Sequence, residues 1–207
     1  FRSQRAELHQ DAKRYSSALP DWEAAFAHIS KSHAENPEVS YFMIQRHRYA
    51  FNLAQTHNGL ENWEESLRYS DIALQMAERL LALDANDSGT RRNLAAPYET
   101  RAAAFAGQEN YDQAQLSLKS AEAIYAELLE RLPDEPMHQR DMASILYLRG
   151  ALVVTSSGAV GSLDEACELL GRSVEIWQGL IDNKQVTQYD RVSRLDPLQA
   201  LAKKTCE

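Results

Sequence analysis

The sequence predicts an all-α protein built from stacked helical hairpins, and three observations carry that prediction. Alanine, leucine, glutamate, glutamine and arginine dominate, with apolar residues spaced three and four apart rather than two. Strand signals are missing, and 8 Gly and 6 Pro in 207 residues are too few for a turn-rich or disordered chain. Three helix starts can also be laid over one another: Asn62-Trp63-Glu64-Glu65-Ser66, Asn110-Tyr111-Asp112-Gln113-Ala114 and Ser162-Leu163-Asp164-Glu165-Ala166 share cap, large apolar residue, acid and small residue, at intervals of 48 and 52. A fixed period of roughly 20–50 residues marks units that bury their apolar faces by stacking.

The elements follow in order from Pro20, Asn36-Pro37, Asn58-Gly59 and the later Gly- and Pro-containing breaks. An N-terminal pair, Arg2–Leu19 and Asp21–Glu35, carries Leu8, Ala12, Tyr15 and Leu19 on one helix and Trp22, Ala25, Phe26 and Ile29 on the other, as a degenerate unit or a cap. First helices of three hairpins are expected at about 39–58, 90–106 and 137–155, and second helices at about 63–83, 111–132 and 163–182. Asn62, Asn110 and Ser162 are placed to accept from the free N–H groups of the turns they open. Acids in those first turns suit the positive helix end. Pro97 is a local conflict that demands a late start near Asn93 or a kink. Asp196-Pro197 opens a capping helix with Leu198, Leu201 and Ala202 on its apolar face. The expected organisation is one continuous domain: a helical pair over 1–36, three hairpins over 37–183 and a capping helix within 184–207.

Small residues recur where two helices of a hairpin must approach closely. Ala54, Ala102 and Gly150 serve the first helices, and Ser66, Ala114 and Ala166 the second. Leu53, Tyr98, Phe105 and Val153, with Ile72, Leu118, Ile124, Leu128, Leu170 and Ile176, form the expected core.

These residues resemble the tetratricopeptide repeat (TPR) family. Its signature sets an aromatic or large residue, a large–small pair and a second aromatic on the first helix, then a small residue early in the second. Tyr98, Arg101-Ala102, Phe105 and Ala114 follow that order, with Leu53-Ala54 and Ser66 before and Arg149-Gly150, Val153 and Ala166 after. The likeness covers roughly residues 39–183 and departs from the family in period, 48 against about 34, and in lacking a regular proline. The stretch Arg92-Asn93-Leu94-Ala95 and Tyr98, with Gly107 to Ala114 and Ile176-Trp177, is similar to the TPR-like tails of bacterial serine/threonine protein kinases. The resemblance implies a right-handed α-solenoid with terminal capping helices, whose first helices line a groove for a protein or peptide. In that groove it places Arg48, Phe51, Asn52, Gln55, Glu99, Thr100 and Tyr147. Ala103, Leu148 and Ala151 would border it.

No constellation of catalytic chemistry stands out. The chain lacks a Gly-rich phosphate loop and the His-Arg-Asp and Asp-Phe-Gly triplets, so any kinase activity belongs to other sequence, and this segment is expected to be no enzyme. The six histidines, His9, His28, His33, His47, His57 and His138, include no pair three or four apart, and neither metal nor cofactor is expected. His57 takes the place of Phe105 in the next unit and reads as a packing residue. Glu64-Glu65, Asp134-Glu135 and Asp164-Glu165 are explained by helix starts. Cys167 and Cys206 can pair only if the last helix folds back across the third hairpin; otherwise Cys167 is a small buried residue.

The net charge of −8 argues against nucleic acid and against an anionic membrane surface. It lies mostly over residues 111–183, which sum to −7. No apolar run approaches the roughly 18–20 residues of a membrane span. Beginning at Phe1, the chain reads as an excised piece. The resemblance implies a bacterial protein, extracytoplasmic if this segment follows a membrane span and cytoplasmic otherwise. The expected function is a protein- or peptide-binding scaffold or sensor region of a signalling protein. The alternatives are a self-association module forming a homodimer and a small-molecule-sensing regulatory domain.

Overall fold

A computed structural model describes residues 2–187 and 190–206. Among them there is no strand, and nine α-helices follow one another: α1 (Arg2–Asp11), α2 (Tyr15–Glu35), α3 (Ser40–Gly59), α4 (Trp63–Leu83), α5 (Ser88–Gly107), α6 (Tyr111–Arg131), α7 (Pro136–Thr155), α8 (Leu163–Asp182) and α9 (Asp196–Cys206). A π-helical turn, Arg191–Leu195, leads into α9. The chain divides into two compact units, Phe1–Gln108 with α1 to α5 and Glu109–Glu207 with α6 to α9.

The 48-residue step is a structural register. Helices α3, α5 and α7 begin at residues 40, 88 and 136, and α2, α4 and α6 at 15, 63 and 111, each 48 apart. The turns between first and second helix repeat as well, with left-handed backbone at Lys13, Glu61, Glu109 and Ser157, again 48 apart. Glycine is the residue that suits this conformation best. Here Lys, Glu and Ser hold it, which is why the turns after α1, α3 and α5 carry no glycine at the strained position.

Within the first unit each helix packs on the next, and α3 also lies against α5. The core joins Ala6, Ala18, Trp22, Ala50, Leu53, Ala54, Tyr69 and Ala73. His57 is buried and stacks on Tyr69 at 5.4 Å, the packing role expected of it. Within the second unit α6 packs on α7, α7 on α8 and α8 on α9. Its core includes Ala143, Leu170, Trp177, Leu180, Leu195 and Leu198. The expected small residues are all buried. At Gly150 a Cβ would stand 2.8 Å from Leu170 Cγ, so the α7–α8 approach has no room for a side chain.

Several local expectations are corrected. The N-terminal helices do not divide at Pro20, which lies inside α2; the break falls at Ala12 to Arg14, where Lys13 turns left-handed. Leu8 is not a core contact but 69% exposed. Tyr125 rather than Ile124 fills the buried position on α6, Ile124 being half-buried. Asn62 makes no side-chain cap bond, whereas Asn110 accepts from the Gln113 amide and Ser162 from that of Glu165. Helix α5 does not start late near Asn93 but at Ser88, and it continues through Pro97, forgoing the bond a residue-97 amide would give the Asn93 carbonyl, while the proline ring is buried. The last helix does begin at Asp196, but Asp196 is itself helical, at φ −60° and ψ −46°, because the π-helical turn feeds into it.

The last helix does fold back over the third hairpin. Cys167 on α8 and Cys206 on α9 form a disulfide across 39 residues, with Cα atoms 5.6 Å apart. Leu198 of α9 is buried, and Leu201 and Ala202 of the same helix pack against the second unit's core.

Candidate functional site: the α1–α3 face

The residues expected to line the groove fall in both units. Arg48, Phe51, Asn52 and Gln55 lie on α3 and Glu99 and Thr100 on α5, all in the first unit; Tyr147 lies on α7 in the second. The α3 residues follow the spacing that keeps them on neighbouring faces of one helix.

Three of those four α3 residues already hold a helix. Arg48 forms an ion pair with Glu7 of α1. Gln10 of α1 donates to Gln55 Oε1 at 2.8 Å and to Asn52 Oδ1 at 3.3 Å. Its carbonyl oxygen accepts from Trp22 Nε1 at 2.8 Å and from Thr56 Oγ1 at 3.0 Å. A glutamine amide offers two donors and two acceptor sites, so Gln10 is fully satisfied by these four partners. Asn52 is itself held by donating to the Arg48 carbonyl at 2.9 Å.

This recognition is polar. Among the described residues of α1, Ala6 is the buried one, and the helix is anchored to α2 by the paired bonds of Arg5 to Asp21 at 2.5 and 2.6 Å. The Arg5 guanidinium holds the Asp21 carboxyl below its ordinary range, against the opposing effect of burial. A two-bond fork of this kind fixes orientation as well as distance.

The other expected residues are placed differently. Phe51 is half-buried, stacked nearly parallel on His47 at 6.4 Å, and packs against the first unit's core. Thr100 is buried; its hydroxyl donates to the Ala96 carbonyl and its carbonyl accepts from Asn58. Glu99 is half-buried. Tyr147 is half-buried against the cluster around Trp177.

Two of the acid pairs at helix starts are engaged locally, and the third reaches another helix. Glu65 accepts from Arg68, whose guanidinium lowers its pKa, and Glu135 accepts from the Met137 amide. Glu165 joins Glu122 on the buried Arg149 guanidinium, which ties α6, α7 and α8 together. Buried carboxylate–guanidinium contacts of this kind orient helices.

Sequence reasoning missed Gln10 and Glu7. The signal that could have found them is the register: Arg5-Ala6 stands 48 residues before Leu53-Ala54, which makes α1 the counterpart of the second half of α3 and sets it beside α3 in the same layer.

A scan against protein-family models and a search of curated proteins give no match to this chain.

Proposed function

We propose that this chain is a non-catalytic, TPR-like helical repeat scaffold that binds a helical segment of a protein partner. The observation that supports the reading is that the α3 face holds a helix, the chain's own α1, through Arg48, Asn52 and Gln55, so a partner helix would engage those residues by displacing α1. The repeating helix starts and turns support a right-handed solenoid of hairpins as the underlying architecture. In this reading the chain is a scaffold or sensor region of a bacterial signalling protein, such as the tail of a serine/threonine kinase. The Cys167–Cys206 disulfide favours an oxidising, extracytoplasmic setting.

The test is a selection of displayed helical peptides on the full chain, followed by titration of enriched sequences against Asn52→Ala/Gln55→Ala. Supporting peptides bind in the micromolar range and weaken about tenfold on the double variant. No enrichment, or affinity indifferent to that variant, would refute the reading.

A further inference from the structure

The repeat register matches an open notch in the second unit to an occupied one in the first. In the first unit the end of α2, the turn into α3 and the late turns of α4 hold a guanidinium. Arg79 Nη1 lies 3.4 Å from His33 Nε2, and Nη2 donates to the Pro37 carbonyl at 3.0 Å and to Glu38 Oε1 at 3.3 Å. Met76, one turn earlier on α4, is buried. Helices α2 and α6 begin at residues 15 and 111, α3 and α7 at 40 and 136, and α4 and α8 at 63 and 163. On that alignment His33, Pro37, Glu38, Met76 and Arg79 fall on Leu129, Pro133, Asp134, Ile176 and Gly179.

The second unit keeps the notch and lacks the arginine. A cavity of about 370 Å³ stands there, lined by Leu129, Pro133, Gln139, Ile176, Gly179 and Asn183. A Cβ on Gly179 would meet nothing within 4 Å. Glycine inside a helix weakens it, and here neither close packing nor a left-handed backbone requires one. The groups that hold Arg79 have counterparts. The Pro133 carbonyl accepts from Gln139 Nε2 at 2.8 Å, which leaves one of its two lone pairs. Asp134 is exposed and makes no hydrogen bond or ion pair among the described residues. In the first unit Arg46 lies close enough to Arg79 for their like charges to interact; the matching residue here is the buried Met142. Helices α6 and α8 both end beside the notch, at Arg131 and Asp182, and carbonyl ends of helices favour a cation. Arg131 and Lys184 are exposed and outside the lining.

We infer that this notch receives an arginine side chain from a partner protein. The aliphatic stem lies on Leu129, Pro133 and Ile176 over Gly179, and the guanidinium meets the Pro133 carbonyl and Asp134, as Arg79 meets Pro37 and Glu38 within its own unit. The cavity is at the small end of the roughly 300–1,000 Å³ of ligand sites, a size for one long side chain. Leu132 and Met137, 45% and 50% exposed, flank the turn that carries Pro133 and give the mouth an apolar rim, which suits a protein surface over a free solute. The inference rests on the repeat register and is independent of the α3 face.

The probe is arginine blocked as its N-acetyl N-methylamide, titrated into the full chain labelled at leucine and isoleucine methyls and followed by NMR. Saturable shifts at Leu129 and Ile176 with a Kd of roughly 0.3–3 mM are expected. The blocked citrulline analogue, which has the same shape without the charge, should bind at least about fivefold more weakly. Gly179→Arg places the side chain in the notch from α8 itself and should abolish the shifts. Asp134→Asn, an exposed substitution that leaves packing intact, should weaken the arginine probe about threefold and narrow its lead over citrulline. The tripeptide Leu-Arg-Leu, blocked at both ends, should bind about fivefold tighter than the single residue through the rim. No saturation by about 20 mM, equal affinity for citrulline, or binding indifferent to both Gly179→Arg and Asp134→Asn overturns the proposal. Equal affinity for the tripeptide and the single residue would hand the notch to a free guanidinium compound and overturn the partner-protein assignment.

Discussion

Breaking the Cys167–Cys206 bond is the perturbation with the most calculable effect. The bond closes a loop of 39 residues, and the chain-entropy relation gives about 13 cal/mol/K for a loop that long, or about 4 kcal/mol at 25 °C. That value is an upper figure, because it counts only the freedom the reduced unfolded chain regains. Helix α9 has few other anchors: Leu198 is buried, Leu201 and Ala202 pack beside it, and Leu195 contributes from the preceding turn. Holding its 11 residues ordered opposes those contacts by roughly 1–2 kcal/mol per residue. Reduction should therefore destabilise the second unit and loosen α9 first. If that unit melts by itself, its transition falls by up to about 16–32 °C, since domains of its size shift about 4–8 °C per kcal/mol. Differential scanning calorimetry with and without a phosphine reductant measures the shift, and Cys167→Ala/Cys206→Ala separates the bond from the reagent. Limited trypsin digestion gives the local readout, with cleavage after Arg191, Arg194, Lys203 and Lys204 accelerating on reduction. Two free thiols in the oxidised, denatured protein, or melting and digestion unchanged by reduction, would refute the reasoning.

Two further predictions follow from the packing. A Cβ at Gly59 would stand 2.3 Å from the Tyr15 ring, and one at Gly107 2.6 Å from the Trp63 ring. Gly59→Ala and Gly107→Ala should each cost about 1–3 kcal/mol in urea unfolding; a gain of about 0.5–1 kcal/mol, the usual result of removing a helical glycine, would show that these rings yield. His33, His47 and His57 are buried, and burial lowers the pKa of each; Arg46 and Arg79 add to the effect at His33, while the Ala73 carbonyl partly opposes it at His47. With folded values below the unfolded value of about 6.5, the unfolded chain binds protons first, so this contribution is complete above about pH 6.5 and is lost as pH falls through the folded values. Melting temperature should drop between pH 7 and 5, and a His47→Gln variant should flatten the drop; a flat wild-type profile over that range contradicts the assignment.

Much of the helical architecture was legible because its signals are local. The caps at Asn110 and Ser162, the acids behind them and the spacing of Leu118, Leu128 and Leu170 act within one or two turns of a helix, so their pattern survives in the linear chain. The small residues at Ala54, Ala102 and Gly150 could likewise be read from their repetition. Pro20 misled because a proline's local cost is only a few kcal/mol, which the burial of Ala18, Asp21 and Trp22 on either side of it can override. The breaks around Glu61 and Glu109 were legible from Gly59 and Gly107, whereas the turn at Lys13 was missed because neither glycine nor proline marks it.

The resemblance pointed to Arg48, Asn52 and Gln55 as groove lining, and in the structure those three contact the chain's own α1. What they bind, Glu7 and Gln10, lies 41 to 45 residues away in sequence, in contacts that no local pattern encodes.

By itself the sequence determined the helices, the 48-residue step and the small residues that let hairpins close, since propensity, capping and periodicity are properties of neighbouring residues. Only the tertiary structure decided that Cys167 meets Cys206 and that α1 lies on the α3 face. Each depends on which distant helix arrives at a given surface, and that is settled by the competition among whole packed faces.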